Sequence, residues 1–298
     1  MFCPGLGSLP LLVACAAAPR ATAPSTAGPA AVASPELARG SPCTPVDEPY
    51  VGTLCTPDPG NSGRHGAIVF FGGYGGDIEA KRLALEFAQR GYVTAAVSYF
   101  GAPRTPRTLV DVPVEIGVAA VAALAARADV DPARLAVMGS SKGGEYALLV
   151  ASSSPAVKAV IANVPSPFAW YGLGRQGVPT GCSWSRGGRS LPCVPMSVQA
   201  DQAWEQRDER RPISFRSGYE AARRDTTAVA RAFFPLEKIA GPVVCLAAGD
   251  DQVWNSAAQC ALAMDYLRAH HHPFADRART FEGAGHVYLN ARSGPARR

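Results

Sequence analysis

Leu135-Ala136-Val137-Met138-Gly139-Ser140-Ser141-Lys142-Gly143-Gly144-Glu145-Tyr146-Ala147-Leu148-Leu149 is the stretch on which the reading of this chain turns. Leu135–Met138 is a short apolar run of the kind that forms a buried strand. A helix is expected from Lys142 to about Ser152. Between them, Gly139-Ser140-Ser141-Lys142-Gly143 matches G-x-S-x-G, and a strand entering a helix through this turn lifts the central serine hydroxyl into an open site. The glycines are expected because a side chain at either position would strike the adjoining strand or helix. Ser140 shares the motif but occupies the wrong place in the turn, so Ser141 is the expected nucleophile.

The same rhythm of strand, turn and helix repeats on either side of this stretch. Ala67–Phe71 is a continuous apolar run, followed by a glycine turn and a helix from Asp77 to about Arg90. Tyr92–Ser98 is the next strand. Asp111–Arg127 is a long Ala/Val-rich helix with Pro113 in its first turn. Strands follow at Val157–Val164 and Val243–Ala248, a helix at Ser256–His270, and a short edge strand at Arg279–Glu282. Strands alternating with helices predict an α/β fold whose mostly parallel sheet carries helices on both faces. The interval of about 166–236 breaks the rhythm, turns helical near Gly218–Ala232, and is expected to be a cap over the strand ends.

A serine hydroxyl needs a base and an orienting acid, which in this architecture follow in the order acid, then histidine. Gly249-Asp250-Asp251 comes directly after Val243–Ala248. Asp251 is favoured over Asp250, because Gln252-Val253-Trp254 could anchor its loop. His286 follows the last strand in Gly283-Ala284-Gly285-His286. His65, His270, His271 and His272 read as surface histidines. An oxyanion hole needs two backbone donors; the expected pair is the amides of Lys142 and Gly73, with Tyr74 as the alternative to Gly73. The turn Gly72-Gly73-Tyr74-Gly75-Gly76 lacks the third glycine of a dinucleotide fingerprint, which would stand at Ile78. With no P-loop and no H-E-x-x-H, cofactor-free and metal-free catalysis is the expectation.

The chain has 298 residues, 47% hydrophobic and 18% charged, with a net charge of +5. That suffices for one large domain. Several of the cations lie in loops and at the C-terminus (Arg292, Arg297, Arg298), so they read as solvated rather than as a nucleic-acid footprint. No stretch reaches eighteen consecutive apolar residues, as a spanning helix would need. Leu12-Val13-Ala14-Cys15 resembles a bacterial lipobox, so residues 1–42 are expected to be a lipoprotein signal and an Ala/Pro-rich linker, and Cys15 a lipidated membrane tether. No Lys or Arg precedes the apolar run, which departs from the signal pattern. The domain proper is expected over 43–298, exported to the cell envelope or beyond. Cys43/Cys55 and Cys182/Cys193 are expected disulfides. Cys245 and Cys260 are weaker candidates, since a buried strand and a helix often carry inert thiols. Trp170, Tyr171, Trp184 and Trp204 could line an acyl pocket or form the cap's own core.

Phe70–Gly76, Ser98-Tyr99-Phe100-Gly101, Val112-Pro113-Val114-Glu115, Gly139–Glu145, Asp250–Trp254 and Gly283–His286 together resemble the C-terminal catalytic domain of acyl-CoA thioesterases and bile acid-CoA:amino acid N-acyltransferases. Dienelactone-hydrolase-like enzymes are the wider neighbourhood. The resemblance implies an α/β-hydrolase fold and a triad falling on Ser141, His286 and Asp251. It further implies that a serine nucleophile goes with hydrolysis of a thioester, and a cysteine with transfer to amino acids. Export would separate the enzyme from cytosolic CoA esters, leaving an acyl ester of the envelope or surroundings as the other substrate class.

Overall fold

The computed structural model describes residues 43–197 and 214–290. In chain order it contains β1 (Cys43–Val46), β2 (Gly52–Cys55), β3 (His65–Phe71), α1 (Ile78–Ala88), β4 (Val93–Val97), β5 (Val112–Pro113), α2 (Val114–Ala125), β6 (Val130–Ser140), α3 (Lys142–Ala151) and β7 (Ala159–Asn163). There follow β8 (Tyr171–Leu173), β9 (Pro179–Cys182), β10 (Trp184–Arg186), β11 (Arg189–Ser190), α4 (Arg216–Ala222), α5 (Thr226–Ala232), β12 (Val243–Ala248), α6 (Ser256–Ala269) and β13 (Arg277–Phe281).

Eight strands form the main sheet in the order β1-β2-β4-β3-β6-β7-β12-β13. The pairings from β4 to β13 are parallel; β1 and β2 join antiparallel at one edge. Apolar side chains alternate across the sheet as strand geometry requires. On β3, Val69 and Phe71 face the larger core with Val121, Leu124 and Leu148, whereas Ile68 and Phe70 face Ala80, Leu83 and Ala84 of α1. Burial on both faces explains why these strands read as continuous apolar runs.

The chain order leaves β3 in opposite directions, to β4 on one side and to β6 on the other. Such a reversal opens a crevice at the carboxyl ends of the two strands, where α/β sheets bind ligands. Phe71 and Gly139 are paired at those ends, so the turns beginning at Gly72 and Ser141 are neighbours.

Three sequence expectations change. The sheet begins before Ala67: β1 and β2 are four-residue edge strands containing Thr44, Pro45 and Gly52, too short and too polar to show as buried runs. The helix expected from Asp111 starts at Val114, because Val112–Pro113 pairs with β10 and Pro113 sits extended just outside the helix. Cys245 and Cys260 are bonded, at an S–S distance of 2.01 Å, and tie β12 to α6. Cys43–Cys55 and Cys182–Cys193 are bonded as expected. The signal, the linker, Cys15 and Trp204 lie outside the described residues.

Candidate active site

The turn after β6 is tightly built. Ser141 adopts φ +55°, ψ −121°, a conformation costing an L-residue of order 1–3 kcal/mol. The surroundings hold it there: its N–H donates to Asn163 O at 2.9 Å, and its carbonyl accepts from Glu145 N at 3.0 Å. A Cβ on Gly139 would lie 2.0 Å from Gly143 O, and one on Gly143 would lie 2.2 Å from Phe71 O. The two glycines therefore let α3 cross against both the β3 and β6 ends, as the motif requires.

Three side chains far apart in sequence meet above this turn. Ser141 Oγ lies 2.7 Å from His286 Nε2. His286 Nδ1 lies 2.9 Å from both carboxylate oxygens of Asp251. Asp251 is fully buried, and its Oδ1 also accepts from Val253 N at 3.0 Å and Trp254 N at 3.2 Å. Backbone donors thus aim the carboxylate, and the Trp254 ring stands edge-on to His286 at 5.4 Å. Asp250 is exposed and accepts from the Gln252 amide at 2.8 Å. Of the rival aspartates, only Asp251 reaches the histidine.

The two residues expected to supply backbone donors lie beside this turn. Lys142 is the first residue of α3, where a backbone N–H has no partner within the helix. Gly73 lies against the nucleophile turn, since a Cβ there would stand 3.2 Å from Ser140 O and 3.4 Å from Ser141 Cβ. Gly73, Tyr74, Ser141, Lys142 and His286 all line one cavity of about 680 Å³.

Two polar constellations have no counterpart among the sequence expectations. Lys142 and Glu145 form a fully buried ion pair at 3.1 Å. Lys142 Nζ also donates to Ser183 Oγ at 2.7 Å and Tyr171 O at 3.2 Å, while Glu145 Oε1 accepts from Trp184 Nε1 at 2.6 Å and Trp170 N at 3.0 Å. Burial lowers the Lys142 pKa and raises that of Glu145, each opposed by the attraction between the two. The knot fastens the start of α3 to the segment between β7 and β12. The K-x-x-E spacing is visible in sequence; its burial is not.

The second constellation is a chain of hydrogen bonds. Tyr288 OH donates to Asn163 Oδ1 at 2.5 Å, Asn163 Nδ2 to Ser140 Oγ at 3.2 Å, and Ser140 Oγ to Glu79 Oε1 at 2.8 Å. It anchors the turn carrying His286 to the residue beside the nucleophile. Burial, reinforced by the Glu79 charge, pushes the Tyr288 pKa up to about 12, so the hydroxyl keeps its proton and donates throughout the neutral range.

The remaining expectations divide. Tyr171 lines the cavity, with Leu173, Met196, Phe215 and Tyr219 from the same expected cap. Trp170 and Trp184 are core residues with no exposure. The His272 side chain is not on the surface: it is buried between Asp276 Oδ2 at 2.7 Å and Ile239 O at 2.9 Å, clasping the end of α6. His65 Nδ1 contacts Gly91 O at 3.0 Å. Among the described residues, no cluster of His, Cys, Asp and Glu is arranged to hold a metal ion.

A parallel sheet, a strained serine between strand and helix, and a site at the reversal of strand order define an α/β hydrolase fold. Residues 112–290 match the family described as BAAT / Acyl-CoA thioester hydrolase C terminal, and the chain belongs to it. Among solved structures, it is similar to a puromycin-hydrolyzing peptidase of Mycobacterium tuberculosis, with 22% identity and a TM-score of 0.52 over 80% of this chain and 34% of that one. This chain therefore spans about a third of that peptidase. It is also similar to a dienelactone-hydrolase-type protein of Klebsiella pneumoniae subsp. pneumoniae, with 17% identity and a TM-score of 0.50 over 82% of this chain and 85% of that one. At these identities the likeness is one of fold. No curated protein sequence matches the chain.

Proposed function

We propose that this protein is a serine hydrolase that cleaves an acyl ester or thioester through an acyl-enzyme on Ser141. The observation that carries the reading is the continuous path from Ser141 Oγ to His286 Nε2 at 2.7 Å and from His286 Nδ1 to Asp251 at 2.9 Å. His286 removes the Ser141 proton as Oγ attacks the acyl carbon, then donates it to the leaving oxygen or sulfur. The same histidine next takes a proton from water, whose oxygen attacks the acyl-enzyme and releases the acid and free Ser141. Asp251 holds the imidazole in the tautomer with hydrogen on Nδ1. The amides of Lys142 and Gly73 stabilise the oxyanion of each tetrahedral intermediate. No cofactor or metal is required by these steps.

The serine nucleophile favours hydrolysis over acyl transfer to an amino acid, by the same resemblance that points to the family. The three disulfides support an exported protein, because such bonds persist in oxidising compartments. Lipidation at Cys15 would make the tether. Export in turn favours an ester of the envelope or surroundings over a CoA thioester.

The test is pre-steady-state hydrolysis of p-nitrophenyl esters and acyl-CoAs. A burst approaching one equivalent per chain is expected, and it should vanish in Ser141→Ala. Unchanged turnover in that variant would overturn the proposal.

A further inference from the structure

The cavity takes its lining from two sources of opposite character. The segment between β7 and β12 and the acid loop contribute Tyr171, Leu173, Phe215, Tyr219 and Trp254, whereas α1 and the strand tips contribute Glu79, Arg82, Ser140 and Asn163. Each charge on this lining, save one, is already answered. Lys142 is neutralised by Glu145. Arg82 is paired with Glu86 at 2.5 Å and donates to Leu289 O at 2.9 Å. His286 is held by Asp251. Glu79 accepts the Ser140 hydroxyl at 2.8 Å and has no ion pair among the described residues.

Glu79 is half-buried, and its hydrogen-bonded neighbour Ser140 immediately precedes the nucleophile. A negative charge in a cavity with low-dielectric walls attracts a cation more strongly than one on an open surface. Tyr74, 43% exposed and stacked on Phe100, lines the same cavity, and an aromatic ring is a suitable neighbour for an ammonium group.

We infer that Glu79 is a specificity-determining residue, and that the substrate is an amphiphilic ester whose ammonium-bearing end sits against Glu79 while its apolar end lies along the aromatic wall. The inference rests on the hydrolase reading above and deepens it. The same charge disfavours a polyanionic leaving group such as CoA next to Ser141.

The experiment compares esters with uncharged carbon isosteres, so that shape is constant and charge alone varies. One pair places the cation in the alcohol: a choline ester against the 3,3-dimethylbutyl ester of the same acid. The other places it in the acyl group: p-nitrophenyl 4-(trimethylammonio)butyrate against p-nitrophenyl 5,5-dimethylhexanoate. In at least one pair, kcat/KM should favour the cationic member about tenfold, which is about 1.4 kcal/mol. Glu79→Gln keeps the acceptor for Ser140 and should bring that ratio to about one.

A ratio of one or less in both pairs would overturn the inference while leaving the hydrolase reading intact. A cationic preference that survives in Glu79→Gln would also overturn it. If no ester is cleaved and Ser141 takes no fluorophosphonate label, the hydrolase reading itself fails, and this inference with it.

Discussion

Glu145→Gln should expose how much the buried pair under the active site costs when it is halved. The oxygen of the new amide can still accept from Trp184 Nε1 and Trp170 N, the two donors that Glu145 serves, so the substitution removes charge more than hydrogen bonding. Lys142, 2% exposed, would then keep only neutral acceptors, namely Ser183 Oγ, Tyr171 O and the amide oxygen at the former Oε1 position. Breaking a buried pair in this way costs about 3–5 kcal/mol. A ceiling exists, because Lys142 can lose its proton: from its ordinary 10.5, neutralisation near pH 7 costs about 1.36 kcal/mol per unit, or about 5 kcal/mol.

That ceiling sets the pH dependence. A lysine whose folded pKa lies below its unfolded one gives up protons on folding, so the variant gains stability as pH rises towards the unfolded value. Near pH 9.5 the ceiling falls to about 1.4 kcal/mol. Urea unfolding of both proteins, disulfides intact, at about pH 7 and about pH 9.5 would measure this. The difference should shrink by at least about 1.6 kcal/mol between the two conditions. A loss below about 1 kcal/mol near pH 7, or one identical at both values, would refute the claim that Lys142 is charged and held by Glu145.

Asp251→Asn should lower kcat by about 10³–10⁴, since the amide favours the wrong tautomer of His286. Asp250→Asn, on the exposed neighbour, should change stability by less than about 0.5 kcal/mol; equal losses of kcat in the two variants would reject the assignment. Tyr288→Phe removes the bond to Asn163 and should cost about 1 kcal/mol, with kcat lowered about tenfold as His286 loses part of its anchor; an unchanged kcat would show that the chain of hydrogen bonds does not position the histidine. Replacing Cys245 and Cys260 together by alanine opens a cross-link of sequence separation 15 and should cost about 3 kcal/mol in denaturant. No loss, or two free thiols there in the non-reduced wild type, would remove the argument for this bond.

The parts legible in the sequence each carry a local signal. Ala67–Phe71 and Val93–Val97 are buried on both faces, and Val243–Ala248 is buried on one face and half-buried on the other, so their composition alone marks them. Ser141 and His286 sit on turns whose glycines announce them. The preference for Asp251 over Asp250 rests on the anchoring of its loop, and the backbone donors of Val253 and Trp254 give that expectation its geometry. By contrast, β2 is held by pairing with β4, and β1 by pairing with β2 and by Cys43–Cys55, which no local pattern reveals. His272 reads as one of three solvated histidines until Asp276 and Ile239 close around it. The Glu79–Ser140–Asn163–Tyr288 chain joins four residues from distant parts of the sequence, and polar residues of this kind have no periodic signature.

Every step of the proposed reaction passes through Ser141 as the nucleophile. The most direct measurement is to incubate the folded protein with a fluorophosphonate probe and locate the adduct by peptide mass spectrometry. One adduct per chain on Ser141 is predicted, absent in Ser141→Ala and strongly slowed in His286→Ala. A correctly folded wild-type protein that takes no label at Ser141, or takes it on another residue, would contradict the account.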